Sequence, residues 1–177
     1  MLVNDFWKCS FLSYFIKQTD LTMLDVGCGN GNITQYFKDK GMIVQGLDIT
    51  PHVFDFSFLK ADLSEGLPKC LFESNYDVVI CTQVLEHIIN PELIIKEMYR
   101  ISNRIVLMTF PVGRSYFDPE HINFWFEPEQ VKATLDSALK AIPGVSYDIC
   151  TIPTKVEDIK NGQRNWLVAI EKKVSDE

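Results

Sequence analysis

The chain has 177 residues, a formal net charge of −7, 46% hydrophobic and 23% charged residues. These values describe one ordinary soluble domain, long enough to bury about 70% of the surface its unfolded chain exposes. The acidic balance argues against a broad duplex-binding face, which needs clustered Lys and Arg; Lys155, Lys160 and Arg164 sit among Glu157 and Asp158 and read as a solvated mixed face.

The first stretch, MLVNDFWKCSFLSYFIKQ, is apolar and aromatic. It has no basic lead and no small-residue cleavage site. Its uncharged run from Cys9 to Ile16 falls far short of the roughly 20 residues of a spanning helix. A helix within 1–20 is expected, packing Phe6, Trp7, Phe11 and Phe15 on the body; a membrane-surface or partner contact is their other use.

TMLDVGC (22–28) reads as a buried strand running into glycine. NITQYFKDK (32–40) is a helix that Gly41 ends, and IVQGLDI (43–49) is the second strand. FSFLKADL (56–63) and YDVVICTQ (76–83) are the third and fourth. PELIIKEMYRIS (91–102) is a helix opened by Pro91, and RIVLMTFPV (104–112) a strand. EPEQVKATLDSALKAI (127–142) is the last helix, and VSYDICTI (145–152) and RNWLVAIEK (164–172) are strands with no helix between them. Lys172 to Glu177 is an expected loose end.

Apolar strands alternating with helices predict an α/β, Rossmann-like, doubly wound and mostly parallel sheet, with an antiparallel pair at one edge. A parallel crossover normally takes about a dozen residues or more. Only Thr50 to Asp55 separate the second and third strands. The helix there is expected to be shortened or absent, with Phe54, Phe56 and Phe58 plugging the gap.

The five cysteines, Cys9, Cys28, Cys70, Cys81 and Cys150, are odd in number and lack metal-ligand spacing. No disulfide framework and no metal are expected, and the cytoplasm is the expected location.

In LDVGCGNGN, Gly27, Gly29 and Gly31 follow the first strand. A dinucleotide loop wants its third glycine one place later, where Asn32 stands, and no Gly-Lys-Ser/Thr follows for a P-loop. Asp48, at the end of the second strand, suits a pair of ribose hydroxyls. Asp62, at the end of the third, suits an exocyclic amine. Each aspartate alone could be a turn or N-cap residue. With Asp25 they fall near strand ends on one edge of the sheet, and together they point to an adenosine-containing ligand.

LDVGCGNGNITQYF, GLDIT, KADL and YDVVICTQVLEHIINPELIIKEMYRI resemble, in order and spacing, the motifs of class I S-adenosylmethionine-dependent methyltransferases, from about Leu21 to Pro111. VLEHI is most similar to the small-molecule branch, with its ubiquinone-type and sugar O-methyltransferases. The resemblance implies a seven-stranded sheet with an antiparallel last strand. It implies S-adenosyl-L-methionine as cofactor and S-adenosyl-L-homocysteine as product. Asp25 and the backbone of Gly27, Cys28, Gly29, Asn30 and Gly31 would hold the methionine end. Asp48, with Ile49 beside it, would hold the ribose; Asp62 and Leu63 would read the adenine; Gln83 and Val84 would line the sulfonium side. A single domain over 1–177 then divides into the N-terminal helix (1–20), a cofactor-binding half (21–112) and an acceptor-side half (113–177).

Methyl transfer from a sulfonium is an in-line displacement governed mostly by positioning. A hydroxyl acceptor also needs a base in reach. His87 in LEHI and His121 in DPEHINFWF are the candidates on this rim, though each could instead anchor a loop. His52, in the short crossover, reads as structural. SYFDPEHINFWFEPEQ (115–130) brings Tyr116, Phe117, Phe124, Trp125 and Phe126 to the same rim as acceptor pocket or core. Arg114 could pair with an acidic acceptor. Relatives that methylate amino groups carry Asn/Asp-Pro-Pro-aromatic where this chain has CTQVLEHI.

The expected activity is O-methylation of a small molecule or sugar/glycan. Nucleic acid is not an expected partner, and no transmembrane segment is expected. The acceptor site would be open or completed by a homodimer or partner chain. The alternatives are an RNA or protein methyltransferase, a non-catalytic cofactor-binding partner subunit, and a dehydrogenase.

Overall fold

The computed structural model describes residues 3–71, 76–112, 119–152 and 164–172. The readings of Arg114, Tyr116, Phe117, Lys155, Lys160, the tail after Lys172, and the Phe6, Trp7 and Arg164 side chains lie outside the described residues. Helix α1 (Val3–Phe15) precedes β1 (Thr22–Val26), α2 (Asn32–Asp39), β2 (Ile43–Asp48) and β3 (Ser57–Lys60). Then follow β4 (Tyr76–Thr82), α3 (Pro91–Ile101), β5 (Ser102–Val112), α4 (Pro128–Leu139), β6 (Asp148–Ile152) and β7 (Arg164–Glu171).

The seven strands form one sheet in the order β3-β2-β1-β4-β5-β7-β6. Pairings from β3 through β5 are parallel, and β7 runs antiparallel to both β5 and β6. Side chains alternate across the pleat. Along β5, Ile105 and Leu107 face one core, with Met23, Val78, Ile33 and Phe37. Val106, Met108 and Phe110 face the other, with Ile94, Met98, Val131 and Leu135. Helices α1 and α2 thus cover one face of the sheet, and α3 and α4 the other.

Local chemistry starts the helices. The Asn90 side chain accepts a hydrogen bond from Leu93 N (3.1 Å), with Pro91 opening α3. Glu127 and Gln130 form a capping box at α4. Among the described residues, no helix is long and apolar enough to cross a membrane.

Residues 49–56 contain no helix, as the short crossover predicts. Phe54 and Phe56 stack there at 4.5 Å, and Phe54 tilts against Phe58 at 5.3 Å. This aromatic plug explains Gly31, whose φ is +74°. A Cβ on Gly31 would lie 2.6 Å from Phe54 and 2.9 Å from Phe56. The Gly31 position therefore makes room for the protein's own packing. Gly31→Ala is expected to cost about 2 kcal/mol, combining an unfavourable φ with overpacking. An unchanged urea midpoint would refute this account.

The N-terminal helix packs Phe11 and Phe15 against the α2 side of the sheet. Its exit is fixed by an ion pair. Asp20, almost fully buried, meets Arg104 at the start of β5, and Arg104 Nη2 also donates to Phe15 O (2.9 Å).

Candidate functional site

In an open parallel sheet, ligands bind at the carboxyl ends of the strands where the strand order reverses. Here that point lies between β1 and β4. A cleft of about 490 Å³ opens there, within the range of ligand sites. Its floor is Gly27 and Gly29 after β1, and its sides are Asp48 and Ile49 after β2, Ala61 to Ser64 after β3, and Gln83 and Val84 after β4. His87, Ile88, Ile89 and Glu120 form the outer rim.

The β1–α2 turn is tied to β2. Gly27 N and Cys28 N donate to Leu47 O at 2.7 and 2.9 Å. Gly29 N donates to Asp48 Oδ2 (2.8 Å), and Thr50 N to Asp48 Oδ1 (2.9 Å). Each carboxylate oxygen keeps a further lone pair for a ligand hydroxyl. A Cβ on Gly29 would meet nothing within 4 Å, so space lies open above that backbone. On Gly27 (φ +76°) it would stand 2.3 Å from a Val84 methyl, so Gly27 makes room for β4's exit as well as for a ligand.

Asp25, Cys28, Asn30 and Gly31 do not line the cleft. Asp25 is buried beneath it, accepts from the Thr34 hydroxyl on α2 (2.6 Å), and leaves Oδ1 without a partner. Burial raises its pKa to about 6, against the Thr34 hydrogen bond and the Lys8 charge. Asp25 therefore braces β1 against α2. Cys28 packs its sulfur against Gly46, and burial lifts its thiol pKa to about 12. The Asn30 side chain accepts from Asn32 N (3.3 Å).

A buried carboxyl with a raised pKa binds its proton more tightly in the folded state than in the unfolded one. The Asp25 contribution to stability then falls as pH rises from about 4 to about 6 and levels off above. Asp25→Asn should flatten that slope in melting curves taken across this window. A slope equal to the wild type's would discount the group.

Asp62 does two things. Its Oδ1 accepts from Ser64 N (2.9 Å), which holds its carboxyl below the usual range, and the residue also lines the cleft. Ile49 and Ile89 are largely exposed there, apolar surface suited to a flat ring. Ile49 and Ala61 to Ser64 supply the wall that a crossover helix would otherwise provide.

Gln83 is strained. Its φ of +58° is left-handed, unusual for a residue with a side chain. Three contacts hold it: Gln83 N donates to Thr109 Oγ1 (3.0 Å), and Nε2 donates to Asn165 Oδ1 (3.0 Å) and, more weakly, to Thr109 Oγ1 (3.3 Å). That turn swings Val84 and the short helical turn Leu85–His87 over the cleft.

The second histidine is brought in by its loop. Ile122 N and Asn123 N donate to Glu86 O (2.9 and 3.0 Å), and Asn123 Nδ2 donates to Leu85 O (3.0 Å) and Ile88 O (2.5 Å). His87 and His121 meet edge to face, ring centres 4.8 Å apart. Glu86 lies under them, 1% exposed, with Oε2 unpartnered. Burial raises its pKa to about 7, against pulls from its own backbone N–H, His87 and Lys8. Glu86 and Lys8 were not singled out from sequence. The LEHI pair was the signal for Glu86; nothing marked Lys8. Trp125 belongs to the core, edge-on to Phe110, whereas Phe124 and Phe126 lie stacked at the surface beside His121. His52 packs on Phe54 in the plug.

Residues 24–104 match the family model described as "Methyltransferase domain". A ubiquinone biosynthesis O-methyltransferase of Pseudomonas savastanoi pv. phaseolicola is 26% identical over 153 residues, 78% of this chain and 56% of that protein. The chain spans about half the length of the curated relatives it matches. Among solved structures, a SAM-dependent methyltransferase from Archaeoglobus fulgidus superposes with TM-score 0.66 at 20% identity, covering 92% of this chain and 90% of that one. The plantazolicin methyltransferase BpumL, crystallised with a triazolic desmethylPZN analog and SAH, gives TM-score 0.69 at 16% identity, covering 95% and 84%. The chain has the class I methyltransferase fold.

Proposed function

We propose that this chain is an S-adenosylmethionine-dependent methyltransferase acting on an oxygen of a small molecule or sugar. The observation that carries this reading is the cleft at the β1–β4 switch point, with Gly29 open above its backbone and Asp48 at its side. The residues fit the cofactor: Asp48 would hold the ribose hydroxyls, Asp62, Leu63 and Ile49 the adenine, and the Gly27–Gly29 backbone with Gln83 and Val84 the methionine and sulfonium end. When bound, the cofactor supplies an electrophilic methyl on a good leaving group. The chain's own part is positioning and exclusion of water. Val84 and His87 line the cleft, and His87 would face the acceptor's proton, with the His121 ring against it. The names of the relatives support an oxygen acceptor. The aromatic plug fills the gap left by the missing crossover helix and supports an intact cofactor side of the sheet.

In this reading 21–112 is the cofactor half and 113–177 the acceptor half of one domain. Phe124 and Phe126 lie near His121 as an open apolar shelf for the acceptor, which a second chain would complete. The absence of a disulfide framework in the sequence supports a cytoplasmic location. Calorimetry with S-adenosylhomocysteine and NAD is the first test, followed by labelled-methyl transfer into extract fractions. Binding of S-adenosylhomocysteine alone is expected; tight binding of NAD alone would overturn the reading.

A further inference from the structure

We propose that Asn165, on β7, is a positioning residue of the cofactor cleft: with Thr109 on β5 it locks Gln83 in its left-handed turn, so that the cleft takes its binding shape only when β7 is in the sheet. That the cleft holds S-adenosylmethionine rests on the function proposed above; the lock itself does not.

Two buried polar side chains mark the lock. Ile105 and Leu107 of β5 and Leu167 and Ala169 of β7 belong to the apolar core on the α1 and α2 face. Thr109 and Asn165 continue those two rows toward the cleft end of the sheet, and both are buried. Thr109 pairs with Leu167, which makes Asn165 its diagonal neighbour across the two strands. A buried hydroxyl and a buried amide at the end of an apolar row are costly unless they are hydrogen-bonded. Both accept from Gln83: Thr109 Oγ1 from its N and Nε2, and Asn165 Oδ1 from its Nε2. A left-handed residue with a side chain persists only where its surroundings hold it there.

The held turn shapes the cleft in two ways. It delivers Val84 onto the Gly27 backbone, so closely that a Cβ on Gly27 would stand 2.3 Å from a Val84 methyl. Both residues line the cleft, so the backbone angle at Gln83 sets the gap between the turns that leave β1 and β4. The lock also orients the Gln83 amide. With Nε2 turned to β5 and β7, Oε1 has no partner among the described residues and is the acceptor this side chain offers to the cleft. Asn165 lies 82 residues from Gln83, beyond the 21–112 half. The cofactor half is therefore finished by a strand of the acceptor half. Nothing in the run RNWLVAIEK marks this role, because the side chain it serves arrives from a distant turn.

The test is a double-mutant cycle on the full chain, read by S-adenosylhomocysteine calorimetry and by thermal melts. Asn165→Ala should weaken binding about tenfold, as one hydrogen bond is lost from a strained turn. In a Gln83→Gly background the same change should cost less than about twofold, since the bond it breaks is already gone. Glycine adopts a left-handed φ without strain. Gln83→Gly should therefore bind more tightly than Gln83→Ala, the reverse of the order that chain flexibility alone would give. Equal losses from Asn165→Ala in both backgrounds, or Gln83→Ala binding as well as Gln83→Gly, would overturn the lock. If Asn165→Ala fails to fold, Asn165→Ser, polar but too short to reach the Gln83 amide, takes its place in the cycle. Wild-type binding left unchanged by Asn165→Ala removes the positioning role alone. If the wild-type chain binds no S-adenosylhomocysteine, the function proposed above falls, and the melts decide the lock: coupled losses at Gln83 and Asn165 support it, and additive losses overturn it.

Discussion

Asp48→Ala weakens S-adenosylhomocysteine binding by about a hundredfold in the expected result. Hydrogen bonds to a charged acceptor contribute about 1.5–3 kcal/mol each, and a ribose offers two hydroxyls. The same carboxylate also holds Gly29 N and Thr50 N, so its loss frees the turn that shapes the cleft floor. Asp48→Asn separates these contributions. The amide keeps the size and one acceptor oxygen but loses the charge, and should cost about tenfold. Calorimetry reads both variants. Wild-type affinity in the alanine variant would remove Asp48 from the cofactor site, whatever the overall fold suggests.

Arg104→Ala is expected to be the most destabilising single change. Its guanidinium spans Asp20, Phe15 O and Glu171, with Nε 2.6 Å from Asp20 Oδ1 and Nη1 3.1 Å from Glu171 Oε1. Asp20 is almost fully buried, and removing the cation strands its charge. Breaking a buried pair costs about 3–5 kcal/mol, which lowers the melting temperature of a domain this size by roughly 10 °C. Glu171→Ala is the contrast. The Glu171 side chain is 56% exposed, and its loss should cost less than about 1 kcal/mol. The double change Asp20→Leu with Arg104→Leu should recover much of the loss. Equal effects of Arg104→Ala and Glu171→Ala in thermal melts would show that α1 is held by its apolar face alone.

The sheet was legible in the sequence because its strands are short apolar runs separated by capped helices. Pro91 after Asn90 and Pro128 after Glu127 mark helix starts that the structure keeps. The missing crossover helix was legible from chain length alone. The glycines were legible only in part, for a physical reason. A glycine shows that a side chain is excluded and does not show by what. Gly31 yields to Phe54 and Phe56, and Gly27 to Val84, neighbours that only the folded chain supplies. Asp25 was read by its position at a strand end, but its depth depends on Thr34 and the helix above. Glu86 was visible as part of LEHI, yet its burial and its meeting with His121 follow from the left-handed turn at Gln83 and the loop stapled by Asn123. Side-chain direction at such turns is not encoded by any periodicity.

The position of β7 between β5 and β6 governs the order in which the molecule can be assembled. Among the described residues, β6 pairs with β7 and with no other strand. On the ribosome, synthesis delivers β6 before that neighbour exists. That strand waits, unpaired at its backbone, until Arg164–Glu171 emerges and inserts against β5. A nascent chain stalled at residue 160 would therefore be short of two strands in the sheet rather than one. It would also expose the edge of β5, a long apolar strand open to pairing with other chains. Limited proteolysis of stalled nascent chains should show β6 gaining protection only after β7 has cleared the exit tunnel.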